Sequence, residues 1–255
     1  MKSFFQIAFI FIFCTLSAQK NLPFDSLRLK DANDLFADDY GNIYLYSNKD
    51  FSLSKYDSLG KQLGKLMLTL PFKIQSVQNP LNIPSFSENA QELKFFDQNL
   101  NLIQTVNLRQ KFGFIKEVYV EDLQQVWLLD ETTKRLIQYN FRTNQIINAF
   151  PFDVEFEHLI DILVFENKLY LLTKDRFSGY DFKGVKLFEI PISDGKMLRR
   201  ENDRVLVMGK NSIKRWDGNS LKTIFMAEKS KIVDKNSSSY FAIKDNKLYL
   251  YHFNE

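Results

Sequence analysis

An aromatic residue followed by a polar one recurs six times in this chain, each time at the end of an apolar run and just before a turn. The pairs are Tyr56-Asp57, Phe96-Asp97, Tyr139-Asn140, Tyr180-Asp181, Trp216-Asp217 and Tyr251-His252, at spacings of 40, 43, 41, 36 and 35 residues. A period of that length holds four short strands, and its repetition marks a β-propeller rather than a sandwich or a βαβ fold. The expected fold is therefore all-β, with one blade for each pair.

The first repeat shows the pattern most clearly. Residues 34–38 and 43–46 are apolar strands joined through Gly41-Asn42, a hairpin signal. A third strand ends at Tyr56-Asp57, and a fourth covers residues 62–66 after Gly60. The polar member of each pair thus falls where a third strand gives way to a turn, a place where Asp and Asn side chains bond nearby backbone amides. Blade two is the least regular, because Pro80 and Pro84 interrupt its inner hairpin and a proline removes a ladder donor. The sixth repeat supplies only three strands before Glu255. The spare segment Phe24-Asp25-Ser26-Leu27-Arg28-Leu29 predicts the missing outer strand, so that residues of about 22–29 close the ring and cover an open edge.

The N-terminus reads as an address. One positive charge at Lys2 precedes an apolar run from Phe4 to Phe13 and a small-residue exit at Ser17-Ala18, which predicts a secretory signal peptide over residues 1–18. The run is shorter than the roughly 20 residues that span a bilayer, so no integral membrane span is expected after cleavage. Residues 19–255 then form a single propeller domain of about 40 residues per blade. Cys14, the only cysteine, follows Ile12-Phe13, which does not suit a lipoprotein signal and leaves the mature chain without thiols. Lys plus Arg total 34 against 31 for Asp plus Glu, a balance that points away from nucleic acid. The 25 Phe and 11 Tyr residues are read as packing between blades.

The text of blade one, Asp39-Tyr40-Gly41-Asn42-Ile43-Tyr44-Leu45 with Lys55-Tyr56-Asp57-Ser58-Leu59-Gly60-Lys61, resembles the repeat of NHL-type six-bladed propellers. Blades four and five keep Tyr180-Asp181-Phe182-Lys183-Gly184 and Trp216-Asp217-Gly218, while the other three depart from the glycine pattern. The resemblance implies the fold and a habit of binding other molecules. It assigns no reaction, since that fold carries both binding modules and hydrolases.

Catalytic and metal chemistry finds little support in the residues. There are two histidines, His158 and His252, on different blades; no Gly-x-Ser-x-Gly elbow, cysteine nucleophile or glycine-rich phosphate loop occurs. No catalytic residue, metal ligand or cofactor is assigned. The candidate site is the ring of inner-strand entrances around the axis. It comprises Asp34, Lys73 and Gln75, Glu117, His158 and Asp161, Arg199, and Asp234, with Asn33, Lys116, Lys196 and Lys231 beside them. Its mixed charge suits a protein, peptide or glycan partner. The expected function is that of an exported, non-enzymatic binding or scaffolding protein of a cell-envelope assembly, in the periplasm or outside the cell and associated with the outer membrane. The alternative is a lactonase-like or glycan-directed hydrolase with a cation at the channel mouth, although no Asp-x-Asn-x-Asp calcium loop is present.

Overall fold

The computed structural model describes residues 19–22, 24, 26–154 and 157–253, so the stretch read as a signal peptide lies outside the described residues. Among these residues the strands form six four-stranded antiparallel sheets. From axis to rim, blade one is Asp34–Ala37, Ile43–Ser47, Ser52–Tyr56 and Gln62–Met67. Blade two is Lys73–Ile74, Ile83–Ser87, Glu92–Phe96 and Leu102–Asn107, and blade three is Ile115–Val120, Gln125–Asp130, Arg135–Asn140 and Gln145–Pro151. Blade four is Leu159–Phe165, Lys168–Thr173, Arg176–Asp181 and Lys186–Pro191. Blade five is Gly195–Glu201, Arg204–Gly209, Ser212–Trp216 and Leu221–Met226, and blade six opens with Ile232–Lys235, Ser239–Lys244 and Lys247–His252. The fold is a six-bladed β-propeller.

The recurrent pair works as two separate devices. In blades one to five its polar member caps the turn between third and outer strand. Asp57 Oδ1 accepts the amides of Leu59 and Lys61, both at 2.9 Å, and Asp181 Oδ1 those of Lys183 and Val185 at 2.9 and 2.8 Å. Asp97 accepts the same two amides in its blade, and Asn140 and Asp217 accept those two and three residues on. Blades two and three reach the left-handed turn backbone without glycine, through Leu100 (φ +65°) and Asn144 (φ +59°), where Gly60 and Gly184 stand at +80° and +79°. That substitution is why their turns lack the glycine. The aromatic member packs between blades. Tyr56 meets Phe24 at 5.3 Å between ring centres, Tyr180 meets Phe152 at 5.7 Å and Trp216 stacks on Phe188 at 4.2 Å. Phe188 itself lies over Gly179, where an added Cβ would come within 2.2 Å of the ring.

Blade two behaves as its prolines require. Its inner strand has two residues, paired as Lys73 with Phe86 and Ile74 with Ser85, and the chain then runs through Asn79-Pro80 before the second strand begins at Ile83.

The ring does close through an N-terminal strand, but through a different segment from the one expected. Gln19–Leu22 pairs antiparallel with the third strand of blade six, Gln19 opposite Tyr251 and Leu22 opposite Leu248. Ser26–Asp31, which takes in the second half of the segment expected to be the strand, is a short helix. The reason is one of distance. The chain must travel from the rim of blade six to the axis, where blade one starts, and four strands spaced about 4.8 Å apart make that a crossing which a strand along the rim cannot provide. The helix makes the crossing and drives Leu29, fully buried, into a core shared with Leu22, Leu35, Ile232 and Leu248.

Two outcomes follow for purified protein. Removing Gln19–Leu22 lowers the melting temperature by roughly 5–10 °C, at 2–4 °C per kcal/mol for a domain of this size, and sedimentation shows concentration-dependent association through the bared edge. Asp181→Ala, which frees two exposed turn amides, costs only about 1 kcal/mol by denaturant titration. Equal losses in the two variants would contradict the account.

Candidate functional site

The inner strands of blades three, four and five each carry a bulge, between Ile115 and Glu117, Leu159 and Asp161, and Gly195 and Met197. A bulge leaves one residue without a ladder partner and re-aims its neighbours. In blade four the unpaired residue is Ile160, and its carbonyl accepts a hydrogen bond from Lys73 Nζ at 2.8 Å. Lys73 comes from blade two. Its ammonium also donates to Glu117 Oε2 and Asp161 Oδ1, each at 2.6 Å. Gln75 Nε2 donates to Glu117 Oε1 at 3.2 Å, and Asp161 Oδ2 accepts the amide of Leu198 in blade five at 2.6 Å. One lysine thus ties blades two, three and four, and one aspartate ties blade four to blade five.

Two carboxylates share this single ammonium. Burial pushes the Glu117 carboxyl above its ordinary range; Lys73 opposes the rise and Asp161 adds to it. For Lys73, burial works downward, but the attraction of Asp161 and Glu117 outweighs it and the ammonium is held above its usual value. A second cluster lies between blades five, six and one. Arg199 donates to Asp234 Oδ1 at 2.5 Å and to the Lys235 carbonyl at 2.6 Å, while Asp234 Oδ2 accepts the Ala37 amide at 2.7 Å. Burial raises Asp234 despite the neighbouring guanidinium. Lys235 pairs in turn with Glu201.

The eight expected site residues therefore separate. Lys73, Gln75, Glu117 and Asp161 are brought together, and so are Arg199 and Asp234. Asp34 stands at the mouth, 3.8 Å from Lys196, with its carboxyl raised by burial against the pull of Lys196 and Lys73. His158 joins neither cluster: it is exposed, sits in a turn with φ +59°, and contacts Glu157 at 3.5 Å.

These clusters occupy the axis between two cavities. One opens on the face that carries the turns between inner and second strands, here called the hairpin face. It has a volume of about 540 Å³ and is lined by Gln75, Gln78, Asn79, Asn82, Tyr119, Arg200 and Asn202, with Asp161 and Arg199 also lining it. Arg200 stacks on Phe165 at 4.4 Å and donates Nε–H to the Asn202 carbonyl at 3.0 Å. Burial raises the Tyr119 hydroxyl above its ordinary pKa against the influence of Arg200. The other cavity, of about 230 Å³, lies on the opposite face, where one blade hands the chain to the next.

Apart from Gln75, the residues that line the hairpin-face cavity most distinctively, Tyr119, Arg200, Asn202 and the carboxamides of Gln78, Asn79 and Asn82, lay outside the ring expected from the sequence. One signal was present: four carboxamides within residues 75–82, in the one inner hairpin broken by proline. A carboxamide both donates and accepts, so a row of them suits peptide backbone or sugar hydroxyls. Among the described residues no group of three or more His, Cys, Asp or Glu side chains is placed to hold a metal ion.

No protein-family model matches the chain, and no curated protein matches it. Solved structures do resemble it. Virginiamycin B lyase from Staphylococcus aureus aligns at 10% identity over 92% of this chain and 98% of its own, with a TM-score of 0.56. A catalytically inactive histidine-to-alanine form of that lyase with quinupristin aligns at 9% identity over 86% and 80%, with a TM-score of 0.51. The Pan2 WD40 domain of Neurospora crassa aligns at 6% identity over 88% and 89%, with a TM-score of 0.51. BamB from Moraxella catarrhalis aligns more loosely, at 12% identity over 87% and 82%, with a TM-score of 0.44. What is shared is the propeller. The six-bladed form and the blade text are consistent with the NHL-like type.

Lys73→Met leaves two buried carboxylates without a cation, and the variant is destabilised by roughly 3 kcal/mol near neutral pH. Glu117, raised in the fold, binds its proton more tightly folded than unfolded, so its contribution to stability falls as pH rises from 4.5 through its folded value. The penalty in the variant accordingly shrinks at pH 5, and a second change, Glu117→Gln, recovers much of it at pH 7. In the unmodified protein the Lys73 contribution is complete below pH 10.5 and is lost as pH rises through its higher folded value. Thermal melts of both proteins across pH check this, and a penalty independent of pH would be the opposite result.

Proposed function

We propose that this chain is an exported, non-enzymatic propeller that binds a protein, peptide or glycan partner in a cell-envelope assembly. The observation that carries the reading is the carboxamide-rich cavity of about 540 Å³ on the hairpin face. It is of a size that takes a peptide segment or short glycan, and its lining offers hydrogen bonds of both senses. The residues first expected to bind, at the mouths of the inner strands, are in large part consumed by one another, with Lys73 saturated by two carboxylates and a carbonyl. Binding moves to the open face. The N-terminal sequence supports export, and no helix among the described residues is long and apolar enough to cross a membrane.

The hydrolase alternative is less well supported by the donor set. A channel-mouth cation would draw on Glu117 and Asp161, and both already face an ammonium that supplies the positive charge. The lyase of similar fold is inactive when a histidine is replaced by alanine. Here His158 lines neither axial cavity, and His252 is on the third strand of blade six, with Nδ1 3.3 Å from Ser239 Oγ.

The test is photo-crosslinking in the native organism. A benzophenone side chain at position 78, in the cavity, captures a specific envelope partner, and the same group at position 187, on the outer strand of blade four, does not. Mass spectrometry of the captured chain gives a mature N-terminus at Gln19. Capture of the same partners from both positions, or a full-length cytoplasmic product, would overturn the reading.

A further inference from the structure

The cavity on the face opposite the proposed partner site has a different chemistry. Its wall is apolar, formed by Leu35, Phe36, Ile74, Met197, Ile232 and Val233 from the inner strands of blades one, two, five and six. Ile160 of blade four and Met208 also line it. Polar groups stand at its edges. Lys196 reaches from blade five to blade one, donating to the Asn33 carbonyl at 3.0 Å, and its ammonium lies 3.8 Å from the Asp34 carboxylate. Lys73 also lines the cavity, but its three acceptors satisfy it.

Asp34 and Lys196 differ from the other axial charges. The Lys73 and Arg199 pairs are short and their carboxylates are buried, whereas this pair is long and the Asp34 side chain remains 46% exposed. One loosely paired anion and one loosely paired cation thus flank an apolar pocket. An isolated apolar cavity of about 150 Å³ stays dry and takes up benzene. This one, of about 230 Å³, has room for a phenyl or branched aliphatic group. Met197 at its wall is unbranched and re-packs readily around a guest.

We propose that this cavity is a binding site for a free apolar α-amino acid. The side chain enters the pocket of Phe36, Ile74 and Met197, the ammonium meets Asp34, and the carboxylate meets Lys196. Both charges of a zwitterion are matched, and the long ion pair is replaced by two short ones. A simple fatty acid would satisfy Lys196 and leave its own carboxylate against Asp34. A simple amine would have the converse fault.

The full mature chain is titrated calorimetrically with leucine and phenylalanine at millimolar concentration, with their N-acetyl amides and with glycine as comparisons. The expected result is saturable binding of leucine or phenylalanine, accompanied by a rise in melting temperature, and at least tenfold weaker binding of the uncharged derivatives and of glycine. Lys196→Met and Asp34→Asn each weaken binding by about tenfold, and Met197→Trp, which fills the cavity, abolishes it. Circular dichroism confirms that each variant is folded. If a variant does not fold, the comparison of free and blocked amino acids on the unmodified protein decides the matter alone. Equal affinity for the blocked derivatives, or no binding of either free amino acid, would overturn the proposal. Neither outcome bears on crosslinking from position 78.

Discussion

Gln19–Leu22 lies against the third strand of blade six, four residues opposite four, and the integrity of the ring rests on that short ladder. Without it, the last blade would present an unpaired edge and the first blade would be tethered only at its inner end. The ladder does not act alone. Asp234 of blade six accepts the Ala37 amide of blade one, and Asn236 donates to the Asp38 carbonyl at 3.0 Å. Lys231 of blade six donates to the Leu29 and Ala32 carbonyls, so the helix that links the closing strand to blade one is fastened at its C-terminal end. Closure is made at the rim by backbone pairing, and at the axis by a buried carboxylate.

The axis itself is an uncommon place to bury charge. Removing an ion pair from water costs several kcal/mol per ion, and the mutual attraction repays this only when further hydrogen bonds satisfy the remaining lone pairs. Here they are satisfied. Asp161 takes one ammonium and two amides, while Asp234 takes a guanidinium and two amides, those of Ala37 and of its neighbour Lys235. No buried side-chain nitrogen or oxygen lacks a partner among the described residues. The contribution of these clusters is best described as registration. Each carboxylate reads the backbone position of the next blade, which apolar packing between large aromatic faces does less selectively.

How much of this was legible in the chain depended on whether the controlling interaction was local. Asp57, Asp97, Asn140, Asp181 and Asp217 cap turns two to four residues away, and the spacing of these pairs, with Tyr251-His252, counted the blades. The closing strand was legible as a need but not as a segment. A six-residue stretch with alternating character, Phe24 to Leu29, looked more like a strand than Gln19–Leu22 does, and only the crossing from rim to axis turns part of it into a helix. Six of the eight residues expected at the axis fall into two ion-paired clusters, but that grouping was hidden. Lys73 meets Asp161 across 88 positions of sequence, and the bulge that offers the Ile160 carbonyl leaves no signature in a single sequence. Arg200 and Tyr119 were missed because an exposed arginine and a strand tyrosine are unremarkable until a cavity forms between them.

Blade two departs furthest from the repeat, with two prolines in its inner hairpin and an inner strand of only two residues. A regular inner strand would have filled the axis with its own side chains and ended in a tight turn. Shortening it frees Lys73 to cross to blades three and four, and it lengthens the following connection, from which Gln78, Asn79 and Asn82 line the hairpin-face cavity. On the opposite face the same short strand contributes Ile74 to the apolar pocket. A local rule broken without an obvious gain in stability is where a functional constraint is to be sought. In this molecule the irregular blade contributes to both cavities and to the charge cluster that stands between them.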